Sequence, residues 1–263
     1  MADSILSGTL ADRPAAYGVI QECLTQQSAA PPRGTLARIV GSNPLHPAAV
    51  SWYQGATGER LVGRLLAGLG PEWSVLHSVP VGSGMSDIGH VVIGPGGVFT
   101  LNTKHHNGAK VWVSPKLLMV NGQREDHLGH SRYESRRASA LLSAALGRKI
   151  EARGLVVLVE PMSVGGPGSP DDVTVLCDRD LVSYFNRRVP VIDDFDRREI
   201  LSAAANPRTW HTTADAVVDP DAVARFEALR GSVLSAARLR SLGSLGFALG
   251  LAAVVLAVLT QLG

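Results

Sequence analysis

The 263-residue sequence predicts an α/β fold, a mixed β-sheet flanked by helices, followed by a C-terminal transmembrane helix. Three observations predict it. First, Asp87–Ile93 and Val98–Thr103 are rich in β-branched and apolar residues and are joined by Gly94-Pro95-Gly96-Gly97. Glycine supplies positive φ there and proline fixes its own, so the segment reads as a hairpin. Second, helical patterns precede and follow it, and beyond them Gly154–Glu160 is the continuous apolar run of a buried central strand. Third, residues 242–262 are uncharged and mostly Leu, Val and Ala; about 20 residues at helical rise cross the hydrocarbon core.

In chain order, residues 1–45 are expected to be weakly structured, with one short helix over Ala15–Thr25. A domain is expected over 46–165. Its helix starts near His46 and is best defined over Gly58–Leu69, where Leu61, Val62, Leu65, Leu66 and Leu69 make one stripe and Glu59 falls at the border beside Leu66. Gly70-Pro71 stops it, and Trp73–Val81 reads as a strand. After the hairpin come short strands at Lys110–Val113 and Lys116–Val120 about Ser114-Pro115, a turn at Asn121-Gly122, and a helix over His127–Leu146. Pro161–Pro170 is a loop. A helical extension over 166–240 begins with a strand at Val173–Cys177, then helices over Arg179–Arg187, capped by Asp178, and over Asp193–Ala205. A last helix opens at Asp219-Pro220 and runs to Arg240.

The formal net charge of +2 excludes little, but its distribution is uneven. From Lys104 to Arg153 ten Lys and Arg stand against four Asp and Glu. Such a segment, including Arg132, Arg136 and Arg137 on the His127–Leu146 helix, can face phosphates or be a solvated helix face. Cys23 and Cys177 are too far apart in context for a disulfide framework or a cysteine metal site. No secretory signal is expected from the first residues, which lack a basic segment followed by a long apolar one. Arg230, Arg238 and Arg240 precede the apolar terminus and no charge follows it, so a single-pass membrane anchor with a cytoplasmic N-terminal domain is expected.

Strand alternation puts Val98, Thr100, Asn102 and Lys104 on one face and Phe99, Leu101 and Thr103 on the other. Gly55-x-x-Gly58-Glu59, the Ile88–Phe99 hairpin and Thr103-Lys104 before a glycine-containing turn together resemble the nuclease-related domain (NERD) family over roughly Trp52 to Val159. That family is similar to the PD-(D/E)xK nucleases, whose restriction-endonuclease-like core is a mixed sheet flanked by helices. The resemblance implies Mg²⁺ held by a helix glutamate, a strand aspartate and an acid two residues before a lysine, which orients or deprotonates the attacking water. Hard cations take oxygen ligands, and the phosphodiester needs its developing charge neutralised.

Glu59 matches the helix acid and Lys104 the lysine. Gly89 stands where the strand aspartate is expected, and Asn102 where the second acid is. Asn102 retains a neutral carbonyl ligand. Asp87 shares the face of Gly89 but lies about 6–7 Å from it at strand rise, so only a bulge at Gly89 brings it into the metal set. Four residues, Glu59, Asp87, Asn102 and Lys104, are therefore the candidate catalytic set, with Mg²⁺ held weakly or not at all. Of the histidines, His90 is expected in the core, His127 and His130 on the surface, and at most one of His105 and His106 beside Lys104. The expected function is nucleic-acid or phosphate binding through Lys104, Arg132, Arg136 and Arg137 without efficient cleavage. The alternatives are an active Mg²⁺-dependent nuclease and a protein-interaction module.

Overall fold

The hairpin signal is realised as the centre of a three-stranded meander. The computed structural model describes residues 9–31, 33–81, 87–210 and 219–241. Helices α1 (Tyr17–Gln27), α2 (Thr35–Ile39) and α3 (Val50–Leu66) come first, then strands β1 (Ser74–Pro80), β2 (Asp87–Gly94) and β3 (Gly97–His105). Short strands β4 (Lys110–Val113), β5 (Leu118–Val120) and β6 (Gln123–Glu125) lead into α4 (His127–Leu146). Strands β7 (Ala152–Val159), β8 (Ser163–Gly165) and β9 (Val173–Cys177) follow, then helices α5 (Leu181–Asn186), α6 (Asp194–Ala205) and α7 (Pro207–Trp210). Residues 222–241 are helical.

The strands form two sheets, one of five strands in the order β1-β2-β3-β7-β9 and one of four in the order β6-β5-β4-β8. The first is mixed: β1, β2 and β3 are antiparallel, whereas β3, β7 and β9 are parallel. Pro95-Gly96 closes the β2–β3 turn between the paired Gly94 and Gly97, and Gly97 takes φ +112°, which only glycine adopts without strain. The second sheet arises because Ser114-Pro115 and Asn121-Gly122 fold β4, β5 and β6 back on one another. Strand β8 joins it in parallel from a stretch expected to be loop.

Strand β7 is the axis of the interior. Leu155, Val157 and Val159 pack with Val62 and Leu66 of α3 and Leu181 and Phe185 of α5, while Val156 and Leu158 pack with Val111, Val113, Leu118 and Leu128. A third cluster sets Val91, Ile93 and Val98 against Ala138, Leu142, Ile200 and Trp210 of α4, α6 and α7. Each such buried aliphatic contributes about 1.5–3 kcal/mol relative to exposure. Two close approaches bring the flanking helices onto the sheet: Gly58 of α3 lies over Thr103 and His105, and Gly154 of β7 lies under Ser131 of α4.

The chain divides into one unit of Met1–Val19 with Tyr53–Asp219 and another of Ile20–Trp52 with Pro220–Gly263. In the second, Gln27 bridges the Pro44 carbonyl and the His46 N–H, and Arg240 Nη1 donates to the Gly41 carbonyl at 2.8 Å. The Ala15–Thr25 helix is found as α1, and α2 is an addition to it.

One part of the expected fold is corrected. Among the described residues no helix is long and apolar enough to cross a membrane, and the transmembrane helix is removed from the fold class. The helix over residues 222–241 carries Arg225, Glu227, Arg230, Arg238 and Arg240, too much charge for hydrocarbon. Residues 242–262, on which the expectation rested, lie outside the described residues.

Candidate functional site

The β2–β3 ladder runs from the Gly94–Gly97 turn to His90↔Leu101 and stops there. Strand β2 stays paired with β1 as far as Pro80↔Asp87, and β3 with β7 as far as His105↔Val159. Asp87–Gly89 and Asn102–His105 thus run on without pairing each other, and the sheet opens between them. Asn102 and Lys104 sit on one side of this opening because alternation along β3 points them toward α4. Glu59 enters from α3, carried in by the close seat of Gly58 on β3, and Glu134 enters from α4.

A β-carbon placed on Gly89 would stand 3.4 Å from the Glu59 carboxylate and 3.3 Å from the Leu101 carbonyl oxygen. Gly89 is therefore the position from which a β2 side chain would meet Glu59, and it offers none. Asn102 Nδ2 donates to Glu134 Oε1 at 2.6 Å, so its amide presents a donor to the neighbouring carboxylate. Asp87 is aimed elsewhere: its Oδ2 lies 2.6 Å from a β-carbon placed on Gly18 of α1, and Arg13 is the cation that draws it. The register is the same on both sides of Gly89, His77↔His90 and Val79↔Ile88, so no residue is inserted in β2 there. Local distortion falls instead on Ser78, which takes φ +46° and whose Oγ accepts from the Tyr17 N–H at 2.7 Å.

Glu59, Asp87 and Glu134 are half-buried as residues, yet Glu59 Oε2, Asp87 Oδ2 and Glu134 Oε2 are sealed from solvent and have no hydrogen-bond partner among the described residues. Desolvation disfavours the charged carboxylate. Burial first, then the charges of Asp87 and Glu134, pushes Glu59 up to about 8 against the opposing pull of Lys104. Burial raises Glu134 to about 7, although Lys104 and the Asn102 hydrogen bond hold it down. Burial raises Asp87 to about 6, opposed by Arg13. Lys104 feels both glutamates but has no ion-pair partner among the described residues.

Two histidine pairs flank this opening. His90, fully buried, shares one proton with His77 across 2.8 Å between their Nδ1 atoms, and burial pushes it down to about 3. On the α4 side His106 Nε2 and His127 Nε2 are 2.8 Å apart. Burial, then the nearby Lys104, His106 and His130, pushes His127 down to about 3. His127 is thus buried beside Lys104 while His130 is exposed, so the two do not act together as a surface pair. His105 is held by Glu160 and by the Gln54 carbonyl, each at 3.0 Å.

Of the basic helix, Arg136 and Arg137 are exposed. Arg132 is engaged in a two-pronged ion pair with Asp172, at 2.6 and 3.0 Å. Among the described residues no group of three His, Cys, Asp or Glu side chains is placed to hold a metal ion. Asn102 meets Glu134, and Glu59 lies within electrostatic reach of Asp87, Lys104 and Glu134. Glu134 is the site residue that the pattern did not supply. Its signal is its phase: it falls between Ser131 and Ala138 on the buried stripe of α4, where an unpaired surface charge does not belong.

The family model of the nuclease-related domain matches residues 54–159. No curated protein and no solved structure gives a match.

Proposed function

We propose that this chain, whose residues 54–159 are a nuclease-related domain, binds nucleic acid through phosphate contacts at the β2–β3 opening and the exposed face of α4, and does so without efficient metal-dependent cleavage. The observation that carries this reading is the empty position of Gly89, 3.4 Å from the Glu59 carboxylate, where a second strand carboxylate would be needed to share a cation. Lys104, half-buried and without an ion-pair partner among the described residues, supplies the positive charge for a phosphate in the opening, and Arg136 and Arg137 supply it along the helix. Contacts of this kind give affinity without sequence preference.

The test is a cleavage and binding assay on the full chain with DNA and RNA in Mg²⁺ or Mn²⁺. Binding is expected with a steep salt dependence, about −0.9 in log–log slope for each duplex phosphate neutralised. Strand scission is expected at the level of the Lys104→Ala variant. Metal-dependent cleavage that disappears in that variant overturns the inactive reading. It would support instead a Mg²⁺-dependent nuclease, which one observation favours: Glu134 brings a carboxylate to Asn102 that the strand pattern lacks.

A further inference from the structure

The small sheet faces two ways. Its inner side, Val111, Val113 and Leu118, is buried in the interior cluster. Its outer side is set by the register: Trp112 pairs with Met119, Met119 with Arg124, and on the other flank Trp112 with Gly165. This row, Gly165–Trp112–Met119–Arg124, is crossed by Lys110, two residues along β4 from Trp112. Trp112 is 48 % exposed in a strand whose neighbours Val111 and Val113 are 2 % and 3 % exposed. Lys110 and Arg124 are exposed as well. Among the described residues no carboxylate occupies an outward position on these four strands, since Glu125 pairs with the buried Leu118 and points inward.

Gly165 leaves the indole bare. A β-carbon there would lie 3.7 Å from indole Cε3, in ordinary van der Waals contact, so any larger residue would cover part of the ring. A large aromatic kept in water costs free energy unless it has a partner, and a face with two cations and no anion selects an anionic one. Arg124 lies two inter-strand spacings from Trp112, about 10 Å, and Lys110 about 6–7 Å along the strand. These are distances at which the phosphates on either side of one stacked base are reached.

We infer that the outer face of the four-stranded sheet is a single-stranded nucleic-acid platform, with a base stacked on Trp112 and the flanking phosphates held by Lys110 and Arg124. Unpaired bases are required because duplex bases already cover one another, whereas every unpaired base has a free π-face. The inference rests on the nucleic-acid reading proposed above and adds a second contact region to it.

The test uses the full chain and a labelled oligodeoxythymidylate, with a duplex of equal length as control. Trp112→Ala is expected to weaken single-strand binding by roughly 5- to 150-fold, the loss of one base stack, and to leave duplex binding unchanged. Trp112→Phe should restore most of the affinity. Gly165→Val, which covers the ring without removing it, should weaken binding by a smaller factor. Unchanged single-strand affinity in Trp112→Ala while duplex binding persists overturns the platform and leaves the proposed function standing. Equal loss on both ligands also overturns it, as a structural effect. No binding of either ligand by the unaltered chain sinks both readings. Protection of Trp112 by an apolar peptide, with no response to the oligonucleotide, assigns the face to a protein partner and overturns the inference.

Discussion

The two sheets set charge in opposite surroundings. The five-stranded sheet is covered on both faces and, where it opens between β2 and β3, it holds carboxylates away from water with one oxygen of each unpartnered. The four-stranded sheet is covered on one face and shows a tryptophan and two cations to solvent on the other. A charge in the first position must change its protonation or find a partner, whereas a charge in the second keeps its hydration and waits for one. What a charged side chain does here is decided by its burial rather than by its chemical type.

The sharpest way to separate the two sheets is by truncating apolar side chains. Leu155→Ala, in the strand packed on both sides, is expected to cost about 2–5 kcal/mol in denaturant unfolding, and Trp112→Ala less than about 0.5 kcal/mol. Comparable losses would mean that Trp112 is a packing residue. Next in size is Gly89→Asp, which places a second carboxylate against Glu59. The melting temperature is expected to fall without divalent cation and to recover in Mg²⁺. Recovery identical to that of the unaltered protein would show that the added carboxylate does not reach a shared cation.

The pH dependence of stability reports on the sealed carboxylates directly. Glu59 has its folded value raised from 4.5 to about 8, so the folded state holds a proton that the unfolded chain releases near 4.5. The corresponding stability is full below 4.5 and is lost as pH rises toward 8. His90 and His127, lowered from 6.5 to about 3, act with the opposite sign: their contribution is full above 6.5 and is lost as pH falls toward 3. Above pH 6.5 the carboxylates remain. Stability is therefore expected to decline between pH 6.5 and 8, by at most about 1.4 kcal/mol per pH unit for one proton, and Glu59→Gln should flatten that decline. A slope unaffected by the substitution would place the titration elsewhere. The smallest expected effect is on the solvated helix face, where Arg136→Glu should reduce the salt slope of duplex binding by about 1 and affect all sequences alike.

Much of the first sheet was legible in the sequence, because long strands and helices carry their periods plainly. Alternation placed Asn102 and Lys104 on one face, and His127–Leu146 is α4 to the residue. Of the second sheet, β4 and β5 were read but β6 and β8 were not: each is three residues long and shows no period, and β8 lies in a stretch rich in glycine and proline. Glu134 was read by its sign within a basic segment, when its phase on the helix was the informative property. The terminal apolar run was read by composition alone, and among the described residues no helix has that character.

Gly18 and Arg13 lie outside the residues that match the family, yet both meet Asp87. With Asp87 Oδ2 only 2.6 Å from where its β-carbon would be, Gly18 cannot acquire a side chain while that carboxylate keeps its place. Positions 13, 18 and 87 are therefore physically coupled. A side chain at position 18 must displace the Asp87 carboxylate from Arg13's neighbourhood or be refused.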